Sequence, residues 1–329
     1  MKSFLTVAAA AIPLLDPALL SAQETLALPA VDYDGDGTAE IASFRPATGL
    51  WRIRGLTAFF LGEEGDRPAP GDYDGDGTSE AGIFRPANAL WAVRGRTRFS
   101  FGASGDLPVP GDWRAEGRGE AAVFRPADAL WAVRGLTRFS FGASGDLPVP
   151  GDWRAEGRDE AAVFRPAGGL WSLRGLTRIY FGSAGDVPLP FRWAGRNAAI
   201  PTVFRPGSGL WAGRSVTRFY FGEPADWALA FGPPGGEQVP VVFRSESARW
   251  AWRGGGRESF GGRGDRPATG SAGRVRPVRL SEVAHFAYNI MNVNTAEQRE
   301  ALVGSHFDLY VLEPVVTERG EESFDIAGL

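Results

Sequence analysis

Short runs of alternating apolar and polar residues, each closed by glycine or proline, fill the chain from about residue 26 to residue 275. Glu120-Ala-Ala-Val-Phe-Arg-Pro126 is one such run, Leu130-Trp-Ala-Val-Arg134 a second and Thr137-Arg-Phe-Ser-Phe141 a third. Phe139 and Phe141 fall on one face at the two-residue spacing of a strand. Gly142, Gly145 and Asp146 supply a turn, and Leu147-Pro-Val-Pro150 opens the next group. No helical periodicity interrupts this stretch, so each group predicts an antiparallel meander of three to four strands.

The meander repeats about every 40 residues. Its anchor is Phe-Arg followed seven positions later by Trp, at Phe44/Trp51, Phe84/Trp91, Phe124/Trp131, Phe164/Trp171, Phe204/Trp211 and Phe243/Trp250. A repeated four-stranded unit with a large aromatic predicts an all-β fold, a β-propeller whose aromatics fill the space between blades. Six copies predict six blades, with Leu26-Ala-Leu-Pro29 completing the final one. Seven is the alternative, because Arg266-Pro267 looks like a seventh start without its Trp. Gly105 to Gly117 recurs letter for letter as Gly145 to Gly157, so copies three and four are not expected to hold different specialised sites. Trp113, Trp153 and Trp193, between cassettes, either stack on sugar rings or plug gaps between blades. Arg94 and Arg98 recur beside a turn Asp such as Asp106; they are read as inter-strand ion pairs or as a ring recruiting an acidic ligand.

Two loops carry metal chemistry. Asp32-Tyr-Asp34-Gly-Asp36-Gly-Thr38-Ala-Glu40 recurs as Asp72-Tyr-Asp74-Gly-Asp76-Gly-Thr78-Ser-Glu80. Carboxylates at positions one, three, five and nine, with a carbonyl near seven, suit Ca²⁺, which takes six to eight oxygens. The glycines permit the turn. An EF-hand is excluded: position twelve is Ser43 or Ile83, and strands flank the loop. An Asp/Gly turn held by its own hydrogen bonds is the other reading. Copies three and four, with Arg114 and Arg118 in the loop, are expected to neutralise their acids with guanidinium groups instead. Calcium is therefore expected as a structural staple.

Gly71-Asp-Tyr-Asp-Gly-Asp-Gly-Thr78, followed by Ala-Gly-Ile-Phe-Arg-Pro86 and Leu90-Trp91, resembles the FG-GAP/VCBS-type repeat of bacterial secreted proteins, related to the propeller of integrin α chains. The resemblance covers residues ~26–275. It implies a calcium-binding propeller used for adhesion or for attachment to carbohydrate, and it implies no reaction. Arg263-Gly-Asp265 spells an integrin-recognition tripeptide, but its Gly-Asp is the cassette turn.

Net charge is −4 and Lys2 is the only lysine, which argues against a nucleic-acid surface. The absence of cysteine excludes disulfides, thiolate metal sites and a thiol nucleophile. Residues 1–22, with Lys2, an apolar run from Phe4 to Leu15 and Leu20-Ser-Ala22, read as a signal peptide, or else as a disordered start. No later run reaches the length of a membrane span. The expectation is a monomer, secreted or periplasmic.

Residues 280–329 follow another grammar. His285 to Met291 and Phe307 to Glu313 read as strands, Thr295 to Val303 as a helix and Ser323 onward as the start of another, a β/α order. The segment resembles the opening of the endo-α-1,4-polygalactosaminidase-like glycoside hydrolase TIM barrels, with Tyr288-Asn289 and Asp308-Leu-Tyr-Val-Leu-Glu313 in the places of the family's first two strands. Asn289 stands for Gln and Glu313 for Asp. The resemblance implies Glu313 as a catalytic acid at a strand's C-terminal end; otherwise it is a solvated strand-end residue. Glycosidic cleavage needs two carboxylates, and a barrel needs ~200 residues, so an incomplete, inactive barrel is expected. The functional expectation is an exported, calcium-stabilised binding module for polysaccharide or a cell-surface protein. The alternative is the accessory domain of a secreted hydrolase acting on a galactosaminogalactan-type polymer.

Overall fold

The computed structural model describes residues 23–26 and 28–275, together with the strands at 286–289, 309–312, 315–316 and 322–323. The chain forms two compact units, divided between Arg276 and Pro277. Residues 1–22, expected to be a signal peptide, Glu313, His285, His306 and the predicted helix at 295–303 lie outside the described residues.

The first unit is a six-bladed β-propeller. Blade 3 shows the plan: Leu107–Pro108, Ala122–Arg125, Leu130–Val133 and Thr137–Ser140 run inner to outer, all antiparallel. Phe pairs with Trp across the second and third strands in every blade, for example Phe124 with Trp131.

The propeller closes in a way that settles the blade count. Arg266–Pro267 pairs with Ser43 and Phe44 and so supplies blade 1 with its inner strand. The Tyr33 hydroxyl donates to the Ala268 carbonyl at 2.6 Å, as Tyr73 donates to Ala69 in blade 2. The apparent seventh start is thus the missing quarter of the first blade. Gln23–Leu26 joins the sheet of the final blade as expected, but through an added strand, Ser271–Val275, which lies beside Trp227–Phe231. Leu26 and Leu28 pack there with Trp227, Leu229 and Phe243.

Three contacts recur around the wheel. Each anchor Trp is fully buried. Its Nε1 donates to the carbonyl ten residues on, at 2.9–3.0 Å in all six blades. Each then packs against the second strand of the following blade, as Trp131 packs with Ala161 and Val163. Secondly, the Asp of each turn, Gly-Asp in five cases and Ala225-Asp226 in the sixth, is buried and accepts from Nε of the Arg in Phe-Arg at 2.7–2.8 Å. The same Asp accepts the backbone N–H three residues back. Charge-assisted bonds of this kind are the strong ones, and the guanidinium of Arg85, Arg125, Arg165, Arg205 and Arg244 is held above its ordinary pKa, first by the bond it donates to the Asp. The partner is therefore Arg85 or Arg125, not Arg94 or Arg98. Arg94 takes the third contact: it lies 3.8 Å over the Phe59 ring of the preceding blade. Arg134, Arg174 and Arg253 do the same over Phe99, Phe139 and Phe219.

Asp265 of the Arg-Gly-Asp tripeptide is fully buried on Arg45 and Arg52, which leaves no carboxylate for an integrin. Trp113, Trp153 and Trp193 are buried as well and plug the blades; they offer no face to sugar. Trp193 Nε1 donates to Thr202 Oγ1 at 3.0 Å. Trp113 and Trp153 leave theirs unpaired, because Ala122 and Ala162 stand where blade 5 has Thr202.

In the second unit Phe286–Asn289 pairs in parallel with Leu309–Leu312, as the β/α grammar predicts. Val315–Val316 pairs antiparallel with Glu322–Ser323, so Ser323 lies in a strand, not at a helix start.

A buried N–H without an acceptor costs about 1–3 kcal/mol. Ala162→Thr, which offers Trp153 the acceptor found in blade 5, is expected to stabilise the propeller by about 1 kcal/mol. An unchanged or lower urea midpoint at constant slope would count against this account of the orphaned indole.

Candidate functional site

The strand-one to strand-two loops of the blades gather around one cavity of about 360 Å³, whose walls include Asp72, Asp112, Asp152, Asp159, Arg158 and Arg192. The second acidic loop is one of these connections and lends Asp72 and Gly77 to the wall, whereas the first precedes the second strand of blade 1 and only the residues before it, Leu28, Pro29 and Ala30, reach the cavity. Gly35 and Gly37, at φ +78° and +85°, let the first one turn tightly enough to aim successive amides at Asp32. Asp32 Oδ1 accepts Gly35 N–H at 2.7 Å and Oδ2 accepts Gly37 N–H at 2.8 Å. Asp36 Oδ1 accepts both the amide and the hydroxyl of Thr38, at 2.8 and 2.6 Å. Glu40 Oε2 accepts the Tyr33 amide at 2.6 Å.

These bonds bring one oxygen each from Asp32, Asp34, Asp36 and Glu40 within 4.8 Å of one another. Oxygens on opposite sides of a Ca²⁺ ion, each 2.3–2.6 Å from it, lie about 5 Å apart, so the donor set and its span fit that ion. In the second loop Asp72, Asp74 and Glu80 converge. Asp76 stands outside that group, bonded to Thr78. Thr38 and Thr78 thus serve to brace Asp36 and Asp76, whose carboxyls they hold below the usual range. Glu40 and Glu80 go the other way, pushed up by burial and by their aspartate neighbours.

The same turn forms in blades 3 and 4 without the ligand set. Asp112 Oδ2 still accepts Gly117 N–H at 2.8 Å, with Ala115 at φ +60° in the place of Gly75. Arg114 lies 3.5 Å from Glu120, and Arg154 and Arg158 each lie 3.6 Å from Glu160. The guanidinium groups balance the remaining acids, as their presence in the loop predicts.

Successive loops are stitched to each other. The amides of Ser79, Gly119, Asp159 and Ala199 donate to the carbonyls of Asp32, Asp72, Asp112 and Asp152 in the preceding blades. Asp159 adds its side chain: Oδ2 accepts the Asp112 amide at 3.0 Å. It also faces Asp152 and Glu160, and its pKa is pushed up to about 7, first by loss of solvation and then by these negative neighbours. Copies three and four are therefore not equivalent at the cavity, contrary to expectation. They diverge at Gly119 and Asp159, the first residues past the stretch they share. The only sequence signal for this was that one difference.

Among the described residues there is no histidine and no helix long and apolar enough to cross a membrane.

No protein-family model matches the chain, and a search of curated proteins finds no match. Solved structures are similar to it, and two of them follow. Selenomethionine-substituted virginiamycin B lyase from Staphylococcus aureus is 7% identical with a TM-score of 0.48, over 78% of this chain and 99% of that one. BBS1N, in complex with ARL6DN, is 10% identical with a TM-score of 0.41, over 74% and 86%. At such scores neither carries an argument, and the six-bladed propeller stands on its own sheet topology.

A carboxyl whose pKa is raised on folding binds a proton more tightly in the native state, so stability falls as pH climbs from the unfolded value towards the folded one. For Asp159 that window runs from about 4 to about 7. Asp159→Gly, the residue of blade 3, is expected to flatten the decline in melting temperature between pH 5 and pH 8. A profile parallel to the wild type would refute the assignment.

Proposed function

We propose that this chain is an exported, calcium-stabilised β-propeller that acts as a binding module for carbohydrate or a cell-surface partner. The observation that carries the reading is the convergence of Asp32, Asp34, Asp36 and Glu40 at the first loop, on a propeller whose loops surround a cavity. Ca²⁺ fits there because every donor is a hard oxygen and the accumulated negative charge needs a counter-ion. The turn persists in blades 3 and 4 without such a set, so the ion stabilises the loop and does not shape it. The cavity, with arginine and aspartate side chains among exposed backbone, suits a polar ligand rich in hydroxyls. The FG-GAP/VCBS resemblance points the same way, as does the leader at residues 1–22.

A second reading rests on the parallel pairing of Phe286–Asn289 with Leu309–Leu312. In it the propeller is the accessory domain of a secreted glycoside hydrolase, and Glu313 is one acid of a pair. Binding on a glycan array without release of reducing ends favours the module; hydrolysis of a galactosaminogalactan-type polymer favours the enzyme.

At millimolar calcium and the affinities usual for extracellular modules, binding adds roughly 0.4–1.4 kcal/mol. Excess chelator is therefore expected to lower the melting temperature by about 1–5 °C and to leave the far-ultraviolet sheet signal intact. Asp36→Asn is expected to abolish that sensitivity. A melting temperature indifferent to both calcium and chelator would sink the calcium reading.

A further inference from the structure

The two acidic loops share a spelling but not a charge environment. In the second, the guanidinium of Arg96 reaches in from the turn after the third strand. Its Nη2 pairs with Asp74, lies 3.3 Å from Glu80 Oε1 and lies 3.6 Å from Asp76. Asp74 and Glu80 belong to the converging group of that loop, and the guanidinium contacts both. The position is five residues after the anchor Trp in every blade. It is Leu56 in blade 1, Leu136 and Leu176 in blades 3 and 4, and Val216 in blade 5. Only blade 2 places a cation there. Among the described residues no basic side chain pairs with the first loop, where four carboxylates converge and not three.

We infer that Arg96 is the resident cation of the second loop, and that the propeller therefore takes one divalent ion per chain, at the first. The inference rests on the calcium reading above and sharpens it. A planar guanidinium with several donors satisfies carboxylates at fixed angles. A divalent ion entering the second loop must first displace it, and that displacement is subtracted from its affinity. Along the chain the arrangement is graded. The first loop has no arginine. The second borrows one from a neighbouring turn. The third and fourth carry Arg114, Arg118, Arg154 and Arg158 within the loop itself. Guanidinium replaces metal from blade to blade, and blade 2 stands at the crossover.

The test is a calcium titration of the full chain by calorimetry, with terbium luminescence sensitised by Tyr33 and Tyr73 as a second readout. Wild type is expected to bind one ion, and Asp36→Asn none. Arg96→Leu, which restores the residue of blade 1, is expected to bind two. Its melting temperature without calcium should fall below that of the wild type, since Asp74 and Glu80 lose their partner. The reciprocal change, Leu56→Arg, lies at an exposed position and should weaken the first site at least about tenfold, a 1.4 kcal/mol step. It also keeps the question decidable should Arg96→Leu misfold. Two ions in the wild type, one ion in a folded Arg96→Leu, or undiminished affinity in Leu56→Arg would each overturn the inference. No ion in any variant, Arg96→Leu included, would overturn the calcium reading on which it stands.

Discussion

A tryptophan buried between two sheets brings a large apolar area and one N–H that must find an acceptor. Burying the ring is worth several kcal/mol, and orphaning the N–H removes a good part of that gain. Every blade of this protein meets both demands with one geometry. The indole lies between its own sheet and the second strand of the next, and Nε1 donates to the carbonyl just past the outer strand. The blade cannot be stable alone, because half of each Trp's surroundings belong to its neighbour. The ring has to close, since an open end would leave Trp250 without Leu26, Leu28 and Ile41.

Closure raises a problem of its own, because six similar blades offer many wrong neighbours. The seam between blades 6 and 1 is chemically distinct. Where other outer strands present Phe59, Phe99, Phe139 or Phe219 to an arginine, blade 6 presents Glu258, and Arg54 pairs with it. The same slot thus holds a cation over a ring at four seams and an ion pair at the fifth that uses a charge. A charge pair on a partly exposed seam adds little affinity. Every blade carries an arginine at the position of Arg54, so the pair marks this seam through Glu258 alone. The inner strand Arg266–Pro267 fastens the same seam by backbone pairing.

The blade was legible because its signals are local. Phe and Trp seven apart give the hairpin, and Gly-Asp gives the turn. Contacts that depend on which face a side chain takes were not legible. Arg85 and Arg94 both stand near a turn Asp in sequence, yet only Arg85 points back along its own blade to Asp66, whereas Arg94 crosses to Phe59. Trp113 reads as a loop residue, but it is buried because its loop folds inward over Trp131. The acidic loops announce themselves by spacing, whereas Arg96 sits sixteen residues beyond Glu80 and reaches it only once the meander folds. Asp159 is one letter in a duplicated stretch, and its meaning comes from Asp112, a residue 47 positions away.

The loops also separate two roles that acidic turns are often assumed to combine. Asp32, Asp72, Asp112 and Asp152 all accept the amide five residues on, so the leading aspartate is a turn residue whatever else the loop does. The later acids are the variable part. Where they converge they repel one another and add to the burial that raises Glu40 and Glu80; Glu120 is raised by burial too, but there Arg114 and Arg118 oppose the rise. The loop therefore keeps its shape while its charge is balanced by different means in successive blades. A site of this kind can be lost or gained through a single residue outside the turn, since the scaffold that aims the carboxylates does not depend on what they hold.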